Sequence, residues 1–321
     1  MIKFVLSQND ENQRLDKFLK KYLRNAPLSH IYKLIRKDVK VNGRKEKPDR
    51  ILEPGDEITI YISDDEEMIF RGDKKSAKQT RQFDIAYEDK NLLIVCKPFG
   101  LLTHGSRSEK KKTLTNQVIS YLIETGEFNP SERSFSPAPV NRLDRNTTGL
   151  VIFGKNSNTL KNFNSMLRKG NCIRKYYLTI VAGKLKGDLI LRGKLAKDTS
   201  ENRVSIFEGS ETCGKEIETL VKVIDNVNGF SLVEVELVTG RTHQIRAHLA
   251  HEGYPIIGDA KYGDQRLNHD ISKKYGLTTQ LLHAERLSFN NMSAGFEYLN
   301  GIEVKAAIPA EFRRIKEELN K

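Results

Sequence analysis

The stretch Asn141-Arg142-Leu143-Asp144-Arg145-Asn146-Thr147-Thr148-Gly149-Leu150-Val151-Ile152-Phe153-Gly154-Lys155 decides how this chain is read. Two glycines, 149 and 154, bracket four apolar residues, the pattern of a short strand buried on both faces. Asn146, Thr147 and Thr148 just before it favour a turn. If residues 142–144 are extended, Leu143 points one way while Arg142 and Asp144 share the other side. A carboxylate at the lip of a rigid strand, between the guanidinium groups of Arg142 and Arg145, is expected to stay ionised near neutral pH. In a chain this charged, a plain surface ion pair explains the same residues equally well.

Working outward, 321 residues leave room for two domains or for one large domain and a small module. Lys and Arg number 54 against 42 Asp and Glu, and this +12 balance points to a polyanionic partner, most often nucleic acid. No apolar run approaches the roughly 20 residues needed to cross a bilayer. The N-terminus turns polar too soon for a signal peptide, so the expected setting is the cytoplasm. Cys96, Cys172 and Cys213 lie far apart beside apolar runs and read as reduced core or near-core residues, neither a disulfide framework nor a zinc site.

Towards the N-terminus, Leu15, Phe18, Leu19, Tyr22 and Leu23 have helical spacing, with Lys17, Lys20, Lys21 and Arg24 between them. Pro27 ends that helix. Ser29 is the expected N-cap of a second one, which carries Ile31, Leu34 and Ile35 on one face and Lys33, Arg36 and Lys37 on another. Val39-Lys-Val, the Asn42-Gly43 turn and the alternating 58–62 run predict a small hairpin. A compact basic unit over 1–62 follows, suited to phosphate-backbone contact. Residues 63–82 are polar, with charges in blocks, and read as a linker to a unit over 83–321.

In that larger unit, strands are expected at 92–96, 174–183, 230–240, 281–289 and 302–308, with loops and edge strands over 185–212. Helices are expected after Asn156 or Ser157, after an N-cap at Thr242, and over 312–319. Tyr176 and Tyr177, adjacent on one strand, must face opposite sides, so only one can look towards Asp144. Strands outnumber crossover helices, which predicts an α+β domain with a mixed, mostly antiparallel sheet and flanking helices. His243, His248 and His251 lack the spacing and the accompanying carboxylates of a metal site. No phosphate loop, dinucleotide fingerprint or Gly-x-Ser-x-Gly nucleophile elbow is present.

Several blocks resemble known families. Arg14-Leu-Asp-Lys-Phe-Leu, Ser29-His-Ile-Tyr-Lys-Leu-Ile-Arg-Lys, Val41-Asn-Gly and Leu52-Glu-Pro-Gly-Asp resemble the small RNA-binding domain named after ribosomal protein S-four. Arg142-Leu-Asp-Arg-Asn-Thr-Thr-Gly-Leu is similar to the signature of the RluA/RluC/RluD family of pseudouridine synthases. Lys97-Pro-Phe-Gly-Leu, Lys175 with Tyr177 and Gly183, Thr239-Gly-Arg-Thr-His-Gln-Ile-Arg-Ala-His, Pro255-Ile-Ile-Gly-Asp and Leu282-His-Ala-Glu-Arg-Leu match further family blocks in order. The likeness covers nearly the whole chain and is greatest to the RluC branch, which acts on the ribosomal large subunit. Asn141, Asn146 and Thr179 depart from the residues usual there (His, Asp and Ala) and leave the central carboxylate in place.

The resemblance implies isomerisation of uridine to pseudouridine in RNA, most plausibly 23S ribosomal RNA or a large-subunit assembly intermediate. It implies a monomer with no cofactor and no metal. It makes Asp144 the reacting carboxylate, as nucleophile or as base. Tyr177 would cover the uracil, and Arg246 would pair with Asp144. The target base must leave its stack, with Arg142 placed to fill the vacated space, and Arg145, Arg241, Lys33, Arg36 and Lys37 would contact RNA.

Overall fold

The computed structural model describes residues 1–71, 79–106, 109–130, 134–198, 203–207 and 214–321. They form two hydrophobic units. The N-terminal unit contains β1 (Ile2–Val5), α1 (Leu15–Tyr22), α2 (Leu28–Lys37), β2 (Val39–Val41), β3 (Glu57–Ile60) and α3 (Asp64–Arg71). Leu15, Phe18, Leu19, Ile31, Leu34 and Ile35 bury the predicted helical stripes against Val39, Val41, Ile58 and Ile60 of the sheet.

Three local expectations change here. The Asn42-Gly43 turn is present, with φ of +50° and +77°, and is closed by a single antiparallel bridge between Val41 and Arg44, while β2 along its length pairs with β3. The predicted hairpin is therefore a three-stranded sheet, ordered β1-β3-β2. In β1 Phe4 enters the core with Ile2 packed beside it, while Lys3 and Val5 stay exposed. Helix α2 starts one residue before Ser29, with Pro27 as N-cap, because the fixed proline φ suits the entry to a helix.

The third change falls in the expected linker. Ser63 and Glu66 form a capping box: Glu66 N–H donates to Ser63 Oγ at 3.1 Å, and Ser63 N–H to the Glu66 carboxylate at 3.2 Å. Four acids in the first turn suit the positive end of the helix dipole. The resulting α3 lies on the N-terminal unit, where the Phe70 ring meets His30 and the Phe70 carbonyl accepts from Asn25 N–H at 2.9 Å. Much of the rest of the expected linker, residues 72–78, lies outside the described residues, as does Cys213. Cys172 is buried and Cys96 half-buried.

The larger unit runs β4 (Asp84–Glu88), β5 (Leu92–Lys97), α4 (Leu114–Glu124), β6 (Ala138–Pro139), β7 (Thr148–Gly154), α5 (Ser157–Lys169), β8 (Ile173–Ala182), β9 (Leu189–Asp198), β10 (Arg203–Phe207), β11 (Lys215–Val227), β12 (Phe230–Leu237), α6 (Gln244–His251), α7 (Gln265–Tyr275), β13 (Leu282–Phe289), β14 (Glu303–Lys305) and α8 (Ala310–Leu319). Its sheet has the order β10-β9-β11-β12-β8-β13-β7-β5-β4, with β14 beside β13 and β6 beside β7. Neighbours are antiparallel except β7 and β13. This is the mixed, mostly antiparallel sheet expected from the sequence.

β5 and β7 are buried on both faces. Leu93, Val95, Val151 and Phe153 join α4 and α6 on one side of the sheet, while Leu92, Ile94, Leu150 and Ile152 join α5 on the other. Each such side chain contributes about 1.5–3 kcal/mol when fully buried. Asn156 caps α5 through Thr159 N–H, and Gly170 closes it at φ +82°. The two units meet through polar contacts: Ser157 N–H donates to Asn9 Oδ1 (3.1 Å), Lys161 Nζ to the Glu11 carbonyl (2.9 Å) and Gln13 Nε2 to Ser134 Oγ (2.9 Å).

One row of residues crosses the centre of the sheet: Lys97, Gly149, Ala284, Tyr177 and Val235, each in register with the next. Gly149 has φ +106°, and a Cβ there would stand 2.1 Å from the Ala284 carbonyl oxygen. Only glycine lets β7 approach β13 at this point.

Candidate active site

The turn entering β7 is fastened on both sides of Asp144. The Thr103 hydroxyl donates to the Leu143 carbonyl (2.9 Å) and accepts from the Leu143 N–H (3.2 Å). Lys97 Nζ donates to the carbonyls of Arg145, Pro98 and Leu101, each at 2.9 Å. Thr147 N–H donates to the Asp144 carbonyl at 3.2 Å, and Leu143 is buried as an anchor. Lys97 is itself buried, and burial pushes its ammonium down to about 7 against the attraction of Asp144.

The guanidinium that meets Asp144 comes from α6, not from its sequence neighbours. Arg246 Nη1 donates to Asp144 Oδ2 at 2.9 Å. Arg142 and Arg145 are instead exposed along the cleft, and the ion pair expected from the local sequence does not form. Arg246 is held from behind by Asp259, with Nε to Oδ2 at 2.7 Å and Nη2 to Oδ1 at 2.8 Å. Asp259 is fully buried, which alone would raise its carboxyl. Arg246 and the N–H groups of Lys261 and Tyr262 outweigh that and hold it below the ordinary carboxylate range. Burial works against the Arg246 charge, and the two carboxylates reverse that effect and raise it.

Gln244 fixes the start of α6. Its Oε1 accepts from Thr239 Oγ1 (2.9 Å) and Arg241 N–H (3.0 Å), and its Nε2 donates to the Glu218 carbonyl and Thr219 Oγ1 (both 3.0 Å). All four hydrogen-bonding positions of this buried amide are filled. The helix N-cap is His243 at φ +54°, not the expected Thr242, because the turn after Gly240 needs a left-handed residue there. His248 turns away, Nδ1 to Thr219 Oγ1 at 3.0 Å, and burial lowers it to about 4. Among the described residues, no three His, Cys, Asp or Glu are grouped to hold a metal.

Of the two tyrosines on β8, Tyr177 faces the site. It is buried, and burial followed by the Asp144 charge raises its phenol, so it keeps its proton. Tyr176 points the other way and stacks under Arg286 at 3.8 Å. Asp144 opens onto a cleft of about 640 Å³, lined among others by Arg142, Arg145, Arg203, Lys261 and His104, and Asp144 is the only carboxylate among its described lining residues. Arg241 is exposed beside a smaller recess under Tyr177. Lys33, Arg36 and Lys37 lie exposed on α2 of the N-terminal unit.

The family of RNA pseudouridylate synthases matches residues 91–251, and the S4 domain matches residues 13–58. The chain belongs to the RNA pseudouridylate synthase family. Relatives of this synthase include ribosomal large subunit pseudouridine synthase C of Salmonella typhi, 32% identical over 99% of this chain and 97% of that protein. The protein of the same description from Escherichia coli K12 is 33% identical over 92% of this chain and 90% of its own length. The solved structure titled human RNA Pseudouridylate Synthase Domain Containing 4 shares the fold, with a TM-score of 0.57 at 21% identity over 73% of this chain and 92% of that one.

For this pseudouridine synthase, the sequence named Asp144, Tyr177 and Arg246, and the structure brings the three together. It also adds residues the sequence reading passed over: Asp259 behind Arg246, Thr103 and Lys97 around Asp144, and the Tyr262–His243 pair beside it. Asp259 and Lys97 both stand inside blocks that resemble the family, but nothing in their spacing tells which side chain each would meet.

Proposed function

We propose that this enzyme isomerises particular uridines of large-subunit (23S) ribosomal RNA, with Asp144 as the reacting carboxylate and without a cofactor. Support for the substrate comes from the two bacterial relatives, both described as ribosomal large subunit synthases. Support for the chemistry comes from one observation: a single carboxylate stands in a cationic cleft with one oxygen, Oδ2, engaged by Arg246. Oδ1 has no hydrogen-bond partner among the described residues and is the oxygen free to react.

The reaction balances within one nucleotide. The C1′–N1 bond breaks, the uracil turns, a C1′–C5 bond forms, and the proton lost from C5 is matched by one gained at N1. No electrons leave or enter. Asp144 serves as nucleophile or as base, and Arg246 steadies its charge. Tyr177, still protonated, supplies an aromatic wall that covers the uracil. The flanking arginines and Lys261 take the phosphates, and Arg142 is placed to fill the gap left by the extruded base. Residues 1–71 form an RNA-binding unit and 83–321 the catalytic domain.

Pseudouridine mapping of ribosomal RNA by carbodiimide-stop sequencing, with and without this gene, tests the substrate. Loss of particular large-subunit sites is expected. Loss confined to transfer RNA would overturn the substrate and keep the reaction. The Asp144→Asn protein should bind RNA and form no pseudouridine, and full activity would remove Asp144 from its role.

A further inference from the structure

His243 sits beside Asp144 with both ring nitrogens placed. Its Nδ1 lies 3.0 Å from Tyr262 Oη, and its Nε2 lies 3.8 Å from Asp144 Oδ2. Tyr262 Oη has a second neighbour, the backbone N–H of Val204 on β10, at 3.0 Å. That N–H can only donate, so it takes a lone pair of the phenol oxygen. Among the described residues the phenol proton then has one acceptor, His243 Nδ1. A neutral imidazole that accepts at Nδ1 carries its hydrogen on Nε2, the nitrogen that faces Asp144.

The surroundings agree. Burial lowers His243, Asp144 opposes this, Arg246 and Lys261 lower it further, and Asp259 opposes, with a net shift downward that keeps the ring neutral at pH 7. The backbone of His243 is left-handed, so the ring is delivered from a turn that few other residues adopt without strain. The Tyr262 N–H is bound by Asp259, so the same carboxylate that aims Arg246 also places the phenol.

We propose that His243 is a positioning residue, locked by Tyr262 in the Nε2–H tautomer, that completes a two-donor clamp on Asp144 Oδ2 and confines reaction to Oδ1. Arg246 is the first donor. The His243 N–H stands beyond hydrogen-bond distance in the free enzyme and closes on the oxygen when substrate fills the cleft. Through Val204 the clamp reaches β10, the edge strand of the sheet, so that edge is tied to the reacting carboxylate. This inference rests on Asp144 being the reacting group.

The test reads the tautomer directly. Histidine side-chain ¹⁵N spectra of the full chain at pH 7.5, with His243→Asn for assignment, should show His243 neutral and protonated on Nε2. In Tyr262→Phe that preference should relax towards a mixture. The same variant should lose roughly 10- to 100-fold in kcat, as a small misplacement of a reacting group does, with KM barely changed. A His243 protonated on Nδ1, or charged at this pH, would overturn the proposal, and so would a Tyr262→Phe enzyme with wild-type kcat. The wild-type spectrum decides the tautomer even if Tyr262→Phe fails to fold. An active Asp144→Asn enzyme would overturn the parent reading and the purpose of the clamp with it. A wrong tautomer in an enzyme that needs Asp144 overturns the clamp alone.

Discussion

Asp259 grips Arg246 with both carboxylate oxygens, at 2.7 and 2.8 Å, and leaves Nη1 as the one guanidinium nitrogen that reaches Asp144. A fork held at two prongs has its third direction fixed. Asp259→Asn keeps the shape and removes the charge, and should lower kcat roughly 10- to 100-fold through a loosened Arg246. Asp259→Ala leaves a buried guanidinium partly unpaired and should destabilise the fold by about 3–5 kcal/mol. Single-turnover rates and denaturant unfolding read the two effects separately. An Asp259→Asn enzyme at wild-type rate would show that Asp144 needs no aimed partner.

Gly149 sets how near β7 comes to β13. In Gly149→Ala the new methyl meets the Ala284 carbonyl at 2.1 Å on a backbone with φ +106°. Overpacking and the unfavourable φ together should cost about 3 kcal/mol or more. The strand must shift, and the Asp144 turn that leads into it shifts as well. A lower denaturation midpoint together with lost activity is expected. An unchanged midpoint would mean that the two strands can part here without penalty.

Two buried histidines make stability depend on acid. Burial lowers both His248 and His283 from the ordinary 6.5 to about 4. Both are neutral in the folded chain at pH 5, whereas the unfolded chain protonates them. Stability is therefore full above about pH 6.5 and falls as pH drops from there towards 4, with a slope approaching 1.4 kcal/mol per pH unit for each histidine. Unfolding free energies measured at pH 7, 6 and 5 should fall in the wild type and fall less in His248→Gln. Parallel curves would place the proton uptake elsewhere.

The fold was legible wherever a pattern repeats. The β7 run, the α1 and α2 stripes and the alternation of β12 each bury a face, and burial leaves a period in the sequence. The site was legible in part. Asp144 stands out as an acid at a strand entry, and the two tyrosines on β8 had to diverge. That Arg246 finds Asp144 across 102 residues came from family resemblance, since no spacing encodes it. Asp259 is a lone acid in a glycine-containing loop, and its partner is set by how α6 lies over the sheet. The α3 helix was within reach: its Ser63-x-x-Glu66 box is a local signal, masked by the charge blocks around it.

β13 lies between β7 and β8 at the middle of the sheet, though it comes from the last 40 residues of the chain. Until it is made, β7 has only the two-residue β6, at Phe153 and Gly154, on that side, and Tyr177 and Gly149 belong to two halves that this row does not yet join. A ribosome that has synthesised the S4 domain, Asp144, Tyr177 and Arg246 has thus still to make Asp259, which aims Arg246, and the strand that joins the sheet. Closing the gap joins segments distant in sequence, a slow kind of contact to form. The N-terminal unit can accordingly fold while the larger sheet is still open, and that sheet closes only once residues 282–289 have been made.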